Sequence, residues 1–278
     1  IGQPTEHAGL ATLEGHIALL RDLITRAGLP LAEIPPVPGG HPFMVCLTHD
    51  IDNPVVRNHL GDATMAGFLY RATIGSLLDL GRQRRTLSQA LRNWLAALSL
   101  PLVHAGMVRD FWRSFARRFL EIETGHGATY FFIPRRDHPG KTRTGAAPAI
   151  RASRYEAREL APEIQAITAA GNEIGVHGLD AWLGADEART ERALLPQANG
   201  AGIRMHWLYF DRTSPQALEA AGFEYDSTVG FNETVGFRAG TAQAYRPLGS
   251  LKLLELPMHV MDTALFYPSY LNLRTDAA

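Results

Sequence analysis

A single cysteine, Cys46, stands in 278 residues, so no intrachain disulfide can form and the redox compartment stays undecided. No run of 18 uninterrupted apolar residues occurs, which excludes a helix able to span a bilayer. A charge excess of one sign is also absent. The 27 basic and 28 acidic residues leave a formal net charge of -1, so no global field draws the chain to nucleic acid or an anionic membrane. The basic run Arg82-Gln83-Arg84-Arg85 is short and reads as a solvated helix end or loop. There is no internal repeat and no low-complexity tract. The chain opens at Ile1 rather than Met, with no recognisable signal peptide. A trimmed or processed chain is therefore expected; its start says nothing about export, and the cytoplasm is the default compartment.

What is present is an ordinary globular composition, 46% hydrophobic and 20% charged, long enough for one barrel-sized α/β domain or two smaller ones. The most informative stretch is Phe43-Met-Val-Cys-Leu-Thr-His-Asp-Ile-Asp52. Its apolar start is too short for a typical helix and predicts a buried strand, with Cys46 packed inside as a small hydrophobe. The strand runs into His49, Asp50 and Asp52, at the carboxyl end where α/β proteins mount their chemistry. A period of two puts Asp50 and Asp52 on one side. Two adjacent carboxylates repel unless a cation or a shared proton neutralises them, and a divalent ion is the favoured remedy.

An amphipathic helix is expected from about residue 10 to 27, ended by Gly28, then a Pro/Gly connector from Ile34 to Gly40. Residues 1–40 thus form an N-terminal helix and linker. Pro54 stops the first strand, and residues 55–125 carry only helical periodicity, an insertion able to wall a groove. Within it Phe111, Phe115, Phe119 and Ile122 form a stripe that predicts core packing. Further strands are expected at 128–133, 173–176 and 253–256. Helices are expected from Pro162 to about Gly171 and from Ser214 to Gly222, with Ser214 as N-cap. The basic, Pro- and Gly-rich loop 135–154 is expected to be mobile. Strands alternating with helices, each followed by polar residues, predict parallel β/α units with one active face.

Four strand-end clusters fall on that face: His49/Asp50/Asp52, His177 with Asp180, Arg204 with His206, and His259 with Asp262. Singly, each has a plain reading: a hydrogen-bonded loop histidine, a helix cap, an ordinary ion pair. Together, Asp and His suit a borderline ion such as zinc.

The motifs Thr48-His-Asp50-Ile-Asp52, Asn172-Glu-Ile-Gly-Val-His177, Ile203-Arg204-Met-His-Trp207 and Leu254-Glu-Leu-Pro-Met-His259 resemble, in order, those of the polysaccharide deacetylases of carbohydrate esterase family 4. They are also similar to a divergent bacterial subgroup with a Thr-His-Asp-x-Asp first motif. The resemblance spans about residues 43–266, apart from the helical insertion. It implies an irregular (β/α)7-type barrel in a single domain, 1–278, and a metal-dependent hydrolase that removes N- or O-acetyl groups from a saccharide. A role in bacterial surface polysaccharide or glycolipid metabolism would follow. It implies Asp50 as base, Arg204 as its orienting partner, His259 as general acid, and Asp52 and His177 as metal ligands. Ile51 stands where the family has its second aspartate, so the metal role moves to Asp52. The family's second metal histidine falls on Ala181; either His206, His49 or Asp180 completes the site, or metal binding is weakened or lost. Zinc is the expected ion. His49, Asp180 and Asp262 are carried as supporting residues. Trp182, Trp207 and Arg238 are carried as candidate sugar contacts, with packing the default for the tryptophans. The competing readings are a carbohydrate-binding or scaffold barrel that has lost its metal triad, and a glycoside hydrolase using Asp50 and a second acid. The chain ends at Ala278 soon after the last motif, which leaves closing elements of a barrel open to being absent.

Overall fold

The computed structural model describes residues 2–35 and 37–273; Ile1, Pro36 and residues 274–278 lie outside it. Six strands form one wholly parallel sheet in the order β1-β2-β5-β6-β7-β8. They are β1 (Leu47–Ile51), β2 (Ala128–Phe132), β5 (Glu173–Gly178), β6 (Gly202–Met205), β7 (Tyr225–Asp226) and β8 (Leu254–Glu255). The remaining two, β3 (Lys141–Thr142) and β4 (Gly145–Ala146), make a small antiparallel hairpin. The α/β class with parallel strands is as the alternation predicted. Among the described residues no ladder joins β8 to β1, so the sheet is an open arc and closure into a barrel is not seen.

The helices explain the crossovers. Helix α1 (Thr12–Arg26) precedes the sheet, and Gly28 follows it at φ 69°, a left-handed stop that glycine adopts without strain. Between β1 and β2 come α2 (Ala63–Tyr70), α3 (Ser76–Gly81), α4 (Leu87–His104) and α5 (Phe115–Ile122). Asp62 caps α2 by accepting from the Met65 amide at 2.8 Å. Thr86 and Gln89 close a reciprocal capping box on α4, satisfying two amides that the first turn would otherwise leave unpaired. After β2 follow α6 (Ala161–Ala169), α7 (Ala185–Ala193), α8 (Ser214–Ala220) and α9 (Asp262–Phe266). The predicted N-cap of α8 shifts by one residue to Thr213, and Asp211 accepts the Thr213 and Ser214 amides instead.

The core lies between the central strands and their helices, built from Tyr130, Phe132, Ile164, Ile167, Ile174, Val176, Ile203, Met205, Leu218 and Leu253. Gly175 matters there: a Cβ on it would meet the Phe131 ring at 2.7 Å. Its bareness lets β2 and β5 pair with Phe131 between them.

Four expectations need correction. The strand starts at Leu47, not Phe43, because β2 begins at Ala128 opposite Leu47 and, among the described residues, no strand pairs with the residues before it. Phe43, Met44 and Val45 are exposed, and so is Cys46, which is not a core thiol. The aromatic stripe splits: Phe115 and Phe119 pack partly against the core, while Ile122 is 80% exposed. The loop 135–154 is anchored, since buried Asp180 accepts from the Lys141 amide at 2.7 Å and bonds His138 at 2.6 Å.

Candidate metal centre

The carboxyl ends of β1, β5 and β6 meet over one cavity of about 750 Å3. Strand alternation sends Thr48, Asp50 and Asp52 toward it and Ile51 into the core. The end of β1 is clamped in place: buried Tyr155 donates to the Ile51 carbonyl at 2.7 Å and accepts the Ile133 amide at 2.8 Å. Ser153 donates to the Asp52 carbonyl at 3.0 Å. The direction of the Asp52 side chain is therefore set by backbone held from outside the strand.

Asp52, His177 and His206 converge. His177 Nε2 lies 3.3 Å from Asp52 Oδ1, His206 Nδ1 lies 3.3 Å from the same oxygen, and the two nitrogens are 3.1 Å apart. A tetrahedral zinc with bonds of about 2.0–2.1 Å requires ligand atoms about 3.3–3.4 Å apart, so this triangle has the size of one tetrahedral face. Asp52 Oδ1 is buried against the two imidazole nitrogens and has no partner beyond them among the described residues, an arrangement that suits a cation set between the three atoms. His177 Nδ1 is 2.9 Å from the Arg204 carbonyl. A carbonyl can only accept, so Nδ1 carries the proton and the Nε2 lone pair faces the triangle. These residues fit a divalent ion with three protein ligands and an open fourth position.

Without an ion, the same three groups hold one another by charge. Burial pushes the Asp52 carboxyl up, but the charge of His206 and hydrogen bonds from both imidazoles outweigh it and hold the group well below the usual carboxylate range. Burial pushes His177 down, and Asp50 and Asp52 reverse that into a net rise.

Asp50 stands beside the triangle, with Oδ2 at 3.9 Å from His177 Nε2. Its Oδ1 accepts from Arg204 Nη1 at 3.0 Å. The same nitrogen donates to Thr48 Oγ1 at 2.8 Å, while Nε and Nη2 donate to the carbonyl and hydroxyl of Ser227 at 3.0 and 2.9 Å. The buried guanidinium also lies 4.8 Å over the Phe131 ring that Gly175 admits. A planar fork fixed at every nitrogen is a rigid support for a carboxylate.

Other expected residues sit elsewhere. His49 turns toward α5, stacking on Phe119 at 4.0 Å and meeting Glu123 at 2.6 Å, so it takes no place in the triangle. Asp180 is spent on the 135–154 loop. Ala181, where the resemblance put a histidine, is fully buried, and the third vertex comes from the next strand as His206. His259 does not line the cavity. Its neighbours Met258 and Val260 do, and the alternate residue turns to the Thr241 carbonyl at 3.2 Å and the Phe237 ring. Trp182 is buried against Tyr209. Arg238 donates to the Gly230 carbonyl at 2.9 Å and lies over Phe231, outside the cavity lining. Trp207 and Asp262 do line it.

Tyr267 and Tyr270, ring centroids 5.4 Å apart, line the same cavity and were not anticipated. The Tyr-Pro-Ser-Tyr spacing lies just beyond the last motif and was the available signal. Among the described residues no helix is long and apolar enough to cross a membrane.

No family model and none of the curated proteins matches the chain. Among solved structures, it is similar to a crystal structure of a Mycobacterium smegmatis protein provisionally named a polysaccharide deacetylase, with a TM-score of 0.41 and 18% identity. The alignment covers 82% of this chain and 63% of the other, so this chain spans less than two thirds of that protein's length. Likeness at this level does not bear on the chemistry.

Proposed function

We propose that the chain is a metal-dependent hydrolase that removes an acetyl or similar acyl group from a saccharide, its substrate a bacterial surface polysaccharide or glycolipid. The observation that carries the reading is the Asp52–His177–His206 triangle of tetrahedral size with an Arg-held carboxylate, Asp50, beside it. Zinc bound there would polarise the acyl oxygen and acidify a water molecule toward neutral pH.

Each remaining part belongs to the chain. Asp50, held by Arg204 at 3.0 Å, takes the proton of the attacking water. His177 is held to one tautomer by the Arg204 carbonyl, so a single residue orients both the base and a metal ligand. With His259 turned away and His49 held by Glu123 at 2.6 Å, Asp50 returns to the leaving group the proton it took. Trp207, Tyr267 and Tyr270 offer ring faces to a sugar.

Elemental analysis of the purified protein and its His177→Ala variant, with acetate release from acetylated saccharides, tests the reading. Near-stoichiometric zinc in the wild type only, with acetate and no new reducing end, is expected. No metal after zinc loading would sink it, and a new reducing end would point to glycoside cleavage instead.

A further inference from the structure

Asp50 and Asp52 border a second hollow, of about 840 Å3, on the side of the helical insertion. Phe68, Phe111, Trp112, Phe115 and Phe119 give it an aromatic wall. Two solvent-exposed cations, Arg92 of α4 and Arg118 of α5, line the hollow as well.

Their neighbours are paired. Arg113 grips Glu163 at 2.8 Å, Arg117 reaches Glu121 at 3.2 Å, and Arg85 reaches Asp79 at 3.4 Å. Among the described residues, Arg92 and Arg118 make no ion pair or hydrogen bond. The carboxylates that share the hollow are already engaged, Asp50 by Arg204 and Asp52 by the two imidazoles. Two guanidiniums lining one hollow therefore lack a counterion from the chain. A carboxylate or phosphate would supply it with charge-assisted, fork-matched hydrogen bonds, while the rings cover the apolar faces of a sugar.

We propose that this hollow is an anion subsite, binding the non-reacting part of an acidic acylated saccharide while its acyl group lies at Asp50. The inference rests on the acyl-saccharide reading above and narrows its substrate to members carrying a carboxylate or a phosphate. The neutral saccharide is the disfavoured class.

The test is calorimetric binding to the full zinc-loaded chain of three probes: neutral N-acetylglucosamine, N-acetylglucosamine 6-phosphate and N-acetylmuramic acid. At least one anionic probe is expected to bind about tenfold tighter than the neutral one, the size of a single charge-assisted hydrogen bond. Which of the two wins identifies phosphate or carboxylate as the anion. Arg92→Gln and Arg118→Gln should each remove most of that advantage, Arg→Lys should keep part of it, and added salt should shrink it. The Lys variants also hold the test if the Gln variants lose the fold by thermal melting. Equal affinity for all three probes, or an anion preference that survives the double Gln variant, overturns the subsite. Acetate release is followed in parallel. Anion-selective binding that tracks the arginines without acetate release would leave the subsite standing and remove the hydrolase reading. Release from the neutral probe with no anion preference would do the reverse.

Discussion

Asp52 at the cavity and the buried pair Asp226 and Glu255 shift in opposite directions. On one side of Arg204, Asp52 faces two imidazoles and stays ionised well below the usual range. On the other, Asp226 and Glu255, both fully buried, face each other. Burial pushes Asp226 up to about 6 and Glu255 well above its ordinary value, and the second carboxyl adds to the rise of Glu255. Asp226 Oδ2 and Glu255 Oε2 have no other partner, so a proton shared between them satisfies both oxygens. Neighbours, not residue type, decide which way a carboxyl shifts.

That contrast can be broken at either end, most severely at the first. Asp52→Ala removes one vertex of the triangle. Zinc affinity, measured by chelator competition, should fall by more than about a hundredfold, beyond the 10–100-fold typical of outer-shell changes, with acetate release abolished. Asp50→Asn should leave zinc content unchanged while acetate release falls by about 10²–10⁴-fold, the usual contribution of a general base; loss of the metal as well would show that Asp50 is a ligand.

The proton-holding pair predicts a pH effect on stability rather than on metal. A carboxyl whose folded pKa is raised contributes stability that is present at low pH and is lost as pH rises through the folded value. For Asp226 that value is about 6 against an ordinary 3.8, so the thermal midpoint should drop between about pH 4 and 6, by an amount on the order of 2 kcal/mol. Glu255→Gln should flatten this slope, and an unchanged slope would remove the shared proton. The smallest effect is expected from Thr48→Val, which takes one acceptor from Arg204. Acetate release should fall by no more than about tenfold, matching a hydrogen bond worth about 1 kcal/mol.

Much of this arrangement was legible because strands impose alternation. The spacing of Asp50 and Asp52 fixed their common side, and polar residues ending apolar runs located His177, Arg204 and His206. His259 is placed away from the cavity, against the Thr241 carbonyl and the Phe237 ring. Its motif was readable, but its side of the chain was not, because β8 is only two residues long and gives no pattern to extend. The run at Phe43 misled for a different reason. Apolar content predicts burial only where a partner strand exists, and the start of β2 decides that from about eighty residues downstream. Nothing local in the sequence reveals that Asp226 and Glu255, two carboxyls from separate strands, meet in the core. The cavity-lining tyrosines and the unpaired arginines of the insertion likewise depend on helix placement that periodicity leaves open.

The displaced start of the first strand leaves the chain's only thiol in solvent, at the residue before β1. One accessible sulfur per chain sets a stoichiometric limit: oxidation can join two molecules into a covalent pair and can build nothing longer. The same position accepts a single maleimide probe without mutagenesis. A fluorophore on Cys46 would sit on the strand that carries Asp50, and could report metal loading and ligand capture optically.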